Sequence, residues 1–233
     1  MHISFSGRTG AHILGREAYV GGGMQQWREA KALWEGPAAH QEFLERSRRD
    51  AIDIALACDH DMVRTGYWRD PRKPAKRIDE LTFRYESADG SWEVKQLDPA
   101  TELYNTVGQS PRPELGLADL PAIVEQAEAG AVAYRPTADD FPDERWMLER
   151  VAGTMAIRAG GVGLSIPVDD PAWLEATLLD PGLVGRYLDA QATRALKNVE
   201  TLAGMGLTYL FGGGDFATNT GPMYSPAVFH DLL

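Results

Sequence analysis

The chain has 233 residues, 44% of them hydrophobic and 24% charged, an ordinary balance for a globular chain with room for one large domain or two small ones. Its 34 acidic against 23 basic residues give a formal net charge of -11, so a phosphate backbone or an anionic membrane surface would be repelled and nucleic acid is not an expected partner. A lone cysteine, Cys58, excludes an internal disulfide and a multi-cysteine metal site within this chain. The opening MHISFSGRTG lacks the pattern of an export signal, and no apolar run approaches the roughly 20 residues of a membrane-spanning helix. A cytoplasmic chain with no membrane partner is the expectation.

Residues 1–57 read as a helical segment, interrupted at Gly21, Gly22 and Gly23. Between Ala39 and Ala57 the apolar Phe43, Leu44, Ala51, Ile54 and Ala55 define one helix face, and Arg46, Arg48 and Arg49 read as its solvated side rather than as an anion site. A short strand is expected over Asp59 to Arg64. Alternation there would turn His60 away from Asp59 and Asp61, which argues against a metal site. Arg64 and Tyr67 at the strand's end are candidate substrate contacts, because guanidinium recognises carboxylate or phosphate in a forked geometry. Pairing of Arg64 with a neighbouring acid is the equal alternative.

Leu81 to Leu97 predicts a β-hairpin turning at Ala88-Asp89-Gly90-Ser91, an insertion at one end of a barrel or sheet whose Phe83, Tyr85 and Trp92 pack rather than bind. The proline-rich, acidic stretch from Asn105 to Pro142 reads as connecting structure, with a short helix over Asp119 to Ala129. Asp139 and Asp140 suit the N-terminus of a helix starting near Pro142.

From Pro142 the pattern is helix to about Ala159, strand over Gly161 to Pro167 (GVGLSIP), helices over Ala172 to Leu179 and Pro181 to Ala203, then strand over Leu207 to Phe211. In the long helix Val184, Leu188, Ala195, Val199 and Leu202 share one stripe. A helix of that length suits a crossover between parallel strands, so GVGLSIP and LTYLF are expected to be neighbours in one sheet. Gly212, Gly213 and Gly214 then stop the last strand, and Asp215 stands at its carboxyl end, where βα proteins place their chemistry. Asp215 could instead accept hydrogen bonds from its own loop. Asn219 and Tyr224 are loop residues that either contact substrate or brace the loop. Ser225-Pro226 reads as an N-cap and first helical turn carrying Val228 and Phe229 inward. There is no dinucleotide fingerprint, P-loop, HExxH or GxSxG motif.

The strand GVGLSIP, the helix containing Pro181 to Ala203, AGMGLTYLF after it, and GGGDFATNTGPMYSPAVFHDLL together resemble the uroporphyrinogen decarboxylase superfamily, which includes the corrinoid and coenzyme M methyltransferases. Asp215 and Ser225-Pro226 occupy the places of that pattern, and the resemblance spans Gly161 to Leu233. It implies an α/β fold, a (β/α)8 TIM barrel of which 58–233 is the first part, carrying the hairpin insertion and preceded by the helical segment 1–57. Later strands of such a barrel would lie beyond Leu233, and the sheet edges left open would invite pairing with another chain, a homodimer being one arrangement.

Two departures bear on the branch. The arginine-rich loop of the decarboxylases proper has only partial echoes in Ser6-Gly7-Arg8 and Gly15-Arg16, and Gly66 falls where they place an early catalytic aspartate. The resemblance therefore implies one-carbon (methyl) transfer that depends on a corrinoid or a thiol, acting on a methylated compound with a corrinoid protein as partner. Zinc would be held by ligands beyond Leu233, with no metal ligand assigned within this chain. Asp215 would orient or polarise substrate, with Arg64, Tyr67, Asn219, Tyr224 and Ser225 as substrate contacts. The alternatives are uroporphyrinogen decarboxylation, with a tetrapyrrole substrate and no cofactor, and a non-catalytic fragment or binding module.

Overall fold

The computed structural model describes residues 5–64, 69–212, 217–218 and 221–232. Helices and sheets are mixed, and the chain divides into two compact units, Met1–Pro111 with Trp146–Ile157, and Arg112–Arg145 with Arg158–Leu233. No helix among the described residues is long and apolar enough to cross a membrane.

The first unit opens with three helices, α1 (Gly7–Leu14), α2 (Gly22–Glu35) and α3 (Pro37–Ala57). Ser6 caps α1 by accepting a hydrogen bond from the amide of Thr9. The glycines expected to interrupt the helices are a packing junction. A Cβ on Gly21 would stand 2.3 Å from the carbonyl oxygen of Phe5, and one on Gly23 2.2 Å from the amide nitrogen of Tyr104. Backbone lies on backbone there, which only glycine permits. Helix α3 buries Phe43, Ile54 and Ala55 as its pattern predicts, but also Ser47 and Asp50. Its arginines are not simply solvated: Arg46 stacks 3.8 Å over the Tyr19 ring and donates to its hydroxyl, and Arg48 lies over Trp146.

Strand β1 (Met62–Val63) falls within the short strand expected there. A four-stranded antiparallel sheet follows, in the order β2 (Lys76–Arg77), β3 (Thr82–Glu86), β4 (Trp92–Asp98), β5 (Leu103–Gln109). The β3–β4 pair is the expected hairpin, with Gly90 at φ 85° in its turn. The region read as connecting structure from Asn105 contributes most of β5 instead. That strand leaves Leu103 and Val107 exposed and buries only Tyr104, so it has no apolar alternation to betray it. Phe83, Tyr85, Leu97 and Tyr104 form a core with Ala30 of α2.

The second unit is built on helix packing. Helix α4 (Leu120–Ala133) contains nearly all of the expected short helix and packs against the long helix Pro181–Gly204. Helix α5 (Pro142–Val151), which belongs to the first unit from Trp146 onward, begins at the expected proline but ends well before Ala159, with Gly153 at φ 82° just beyond it. Strand β6 is Ala156–Ala159, not GVGLSIP, which forms no regular element. Gly161 at φ 85° and Pro167 do not suit a central ladder. Side chains serve that backbone instead: Gln191 accepts from the amide of Ser165 and donates to its carbonyl, both at 2.9 Å, and Asn198 donates to the carbonyl of Gly161 at 2.6 Å.

Helices α6 (Pro171–Leu179) and α7 (Pro181–Gly204) match expectation closely. Strand β7 (Tyr209–Leu210) then pairs parallel with Arg158 and Ala159, while Ala156 and Ile157 pair parallel with β1. The crossover logic therefore holds with a different strand as its start. A two-stranded ribbon, β8 (Ala217–Thr218) and β9 (Gly221–Pro222), precedes α8 (Pro226–Leu232). Leu120, Val124, Ile166, Trp173, Val184 and Leu188 make this unit's core. Phe229, expected to point inward, is 40% exposed. No closed barrel forms among the described residues.

Candidate functional site

The loop after β7 was the expected centre of chemistry. Asp215 and Asn219 in it, and Tyr67 elsewhere, lie outside the described residues. What frames the loop is clear. The amide of Phe211 donates to the carbonyl of Ala159 at 2.8 Å, extending the parallel pairing, and a Cβ on Gly212 would come within 2.7 Å of the carbonyl oxygen of Val162. Glycine is required there by close approach, which fixes where the loop leaves the strand.

At the loop's far end Ser225 accepts from the amide of Val228 at 3.2 Å, so it is the cap of α8. Tyr224 beside it packs on the helical core, and burial raises its hydroxyl pKa. Arg64, half-buried just beyond β1, is engaged by a partner. Among the described residues of the second unit, the expected contacts Tyr224 and Ser225 lie together as neighbours in sequence.

A second concentration of polar groups, unforeseen in the sequence, lies in the first unit. Glu29 on α2 is fully buried. One of its carboxylate oxygens accepts from Arg69 Nε at 3.0 Å and Nη2 at 2.5 Å and contacts His40 Nε2 at 3.2 Å, and the other accepts from the amide of Asp70 at 3.0 Å. Asp70 in turn accepts from Arg72 Nε at 2.8 Å and Nη2 at 2.7 Å and from Lys95 Nζ at 2.9 Å. Glu93 pairs with Arg72 Nη1 at 2.6 Å.

Burial alone would raise the Asp70 carboxyl, but the hydrogen bonds and charges of Arg72 and Lys95 outweigh it and hold the pKa at about 2. The Tyr85 and Tyr104 hydroxyls meet at 3.1 Å beneath this cluster. Burial pushes Tyr85 up to about 12, and burial together with the hydrogen bond between the two hydroxyls raises Tyr104 as well. Three carboxylates are thus met by three long cations, and the tyrosines stay neutral at ordinary pH. Such a set is chemically quiet: its carboxylates are committed to the cations around them, and Asp70 is held far below the range of a base working near neutrality.

The signal for this cluster was in the strand phase. Phe83 pairs opposite Lys95 and Tyr85 opposite Glu93, so charged and aromatic residues occupy one side of β3–β4. A charge in the apolar phase of a strand marks a buried pair. In the second unit, a comparable overlooked residue is Arg158, whose guanidinium carbon lies 3.5 Å from the Phe211 ring centroid at the end of β6.

Among the described residues no three His, Cys, Asp or Glu side chains converge as a metal site. Comparison with known proteins returns no match, whether to a family model, a curated protein or a solved structure.

Proposed function

We propose that the chain is the first part of a (β/α)8 barrel enzyme similar to the uroporphyrinogen decarboxylase superfamily, and that it serves one-carbon transfer from a methylated corrinoid or methoxylated compound. The observation that supports this reading most is the parallel β6–α6–α7–β7 unit, whose last strand runs through Phe211 into the glycine-bounded loop that carries Asp215 in the sequence. A strand's carboxyl end followed by a loop and a newly capped helix is the arrangement in which βα proteins hold substrate.

In this reading Asp215 orients or polarises the substrate, Asn219 and Tyr224 line the same loop, and Arg64 and Tyr67 meet an anionic group of the substrate. Ser225 serves the loop by capping α8. Zinc, for which no ligand is assigned within this chain, would supply activation of the acceptor thiol in this reading.

The test uses methylcob(III)alamin as donor and 2-mercaptoethanesulfonate as acceptor, with the protein supplied with zinc. Moving the methyl group to the thiolate sulfur breaks the cobalt–carbon bond, forms a thioether and leaves both electrons on cobalt as cob(I)alamin, whose absorbance is followed. Turnover that falls by roughly 100-fold or more in Asp215→Ala, as expected for loss of a fixed transition-state contact, supports the reading. Conversion of uroporphyrinogen to coproporphyrinogen without methyl transfer would replace it with decarboxylation. Full turnover by Asp215→Ala would remove Asp215 from the mechanism.

A further inference from the structure

The register of β6 with β7 sets Arg158 beside Tyr209 and Ala159 beside Leu210. Side chains alternate along a strand, so Arg158, Tyr209 and Phe211 fall on one side and Ala159 and Leu210 on the other. Ala159 is buried, whereas Tyr209 and Phe211 are 52% and 49% exposed. The side that carries the rings is open, and among the described residues of β6 and β7 the cation on it is Arg158.

That cation is held by a ring, as Arg194 is by Tyr134, and not by any described acid. Arg72 and Arg186 each grip a carboxylate through two nitrogens, Asp70 and Glu128 respectively. Arg158 stacks on Phe211 instead, and among the described residues no carboxylate pairs with it. Stacking occupies the flat face of a guanidinium, while its N–H donors lie in the plane and point outward from the edge. Contact with the ring restrains the side chain, so less freedom remains to be lost when an oxyanion docks on that edge.

We propose that Arg158, Phe211 and Tyr209 form a binding site for the carboxylate of a flat, ring-bearing organic acid. The carboxylate accepts two hydrogen bonds from the guanidinium edge, and the ring of the ligand lies along the exposed face of Tyr209. The charge of the whole chain, -11, disfavours anions in general, so a small carboxylate needs the local fork to bind at all. Phosphate could use the fork but gains nothing from the two rings. A ring-bearing carboxylate uses both.

This site does not depend on the one-carbon reading, because its test is an equilibrium measurement without turnover. Benzoate, acetate and inorganic phosphate are titrated separately into the protein and followed by calorimetry and ligand-observed NMR. Benzoate is expected to bind roughly tenfold more tightly than acetate or phosphate, and Arg158→Gln to weaken benzoate by roughly tenfold, the loss of one charge-assisted pair. Arg158→Lys should restore only part of that affinity, since a point charge lacks the fork. Phe211→Leu should weaken benzoate more than acetate. Circular dichroism and thermal melting establish that each variant is folded. If Arg158→Gln does not fold, the benzoate, acetate and phosphate order in the unaltered protein and the Phe211→Leu variant decide. Benzoate that fails to bind, binds no better than acetate or phosphate, or binds Arg158→Gln as well as the unaltered protein, overturns the proposal.

Discussion

The two units hold themselves together differently. In the first, charged groups lie inside and are paired: Glu29 with Arg69, Asp50 with Arg16, Asp70 with Arg72 and Lys95. In the second, the core is apolar, with the rings of Trp173 and Tyr187 tilted against each other at 4.4 Å and Val184 and Leu188 beneath α4. Polar side chains there serve backbone at the edges, as Lys197 does by donating to the carbonyls of Ala131, Val132 and Tyr134 at the end of α4. The contrast separates two meanings of a buried charge. A carboxylate met by its full complement of donors is architecture, because nothing is left over for a ligand. A guanidinium stacked on a ring at a strand's end, with its edge donors uncommitted to any described carboxylate, is a place where a ligand can enter.

The largest expected effects break each unit by its own means. Trp173→Ala should cost about 3–5 kcal/mol by opening a cavity in the second unit. Glu29→Ala should cost a similar amount, about 3–5 kcal/mol, by leaving the Arg69 guanidinium without its buried partner. The two differ in rescue. Adding Arg69→Met to Glu29→Ala should recover much of the loss in denaturant unfolding, while no charge change rescues Trp173→Ala. A Glu29→Ala protein as stable as the unaltered one would show that the pairing is incidental.

Smaller effects sharpen the same contrast. Gly23→Ala forces α2 off the backbone of β5 and should cost roughly 1–3 kcal/mol, readable in the same unfolding curves. Ser225→Ala removes the cap of α8 and should cost about 1 kcal/mol, whereas Ser225→Asp should keep most of it.

A separate set of effects is governed by pH and belongs to the first unit. The Asp70 carboxyl is depressed in the folded chain, so its contribution is present above the unfolded value near 3.8 and is lost as pH falls towards about 2. Tyr85 is raised, so its contribution is full below about 10 and is lost as pH rises towards about 12. Acid unfolding monitored by fluorescence should shift in Asp70→Asn. Tyrosinate absorbance should appear with alkaline unfolding rather than before it.

Much of the second unit was legible from α6 to β7, because long helices with apolar stripes and proline starts leave strong local signals. The hairpin at Gly90 was equally plain. Strand β6 was misplaced because Ala-Ile-Arg-Ala carries little β preference, while GVGLSIP looks apolar yet is held by Gln191 and Asn198 instead of by a ladder. The Glu29 cluster was hidden because its members are scattered over α2, α3, β4 and the segment before β2, and only tertiary packing gathers them. Cap residues such as Ser225 could be read directly, since a cap is made within a few residues. Arg158 could not, because its meaning rests on Phe211, which reaches it only through the parallel register.

In the proposed reading the loop after β7 carries the chemistry, while the Glu29 and Asp70 cluster is scaffold. The most direct test is methyl transfer from methylcob(III)alamin to 2-mercaptoethanesulfonate by the protein, by Asp215→Ala and by Asp70→Asn, each rate normalised to the folded fraction. The account predicts that Asp215→Ala loses turnover with its unfolding midpoint unchanged, and that Asp70→Asn is destabilised yet keeps its rate per folded molecule. Full turnover by Asp215→Ala, or lost turnover by a fully folded Asp70→Asn, would contradict it.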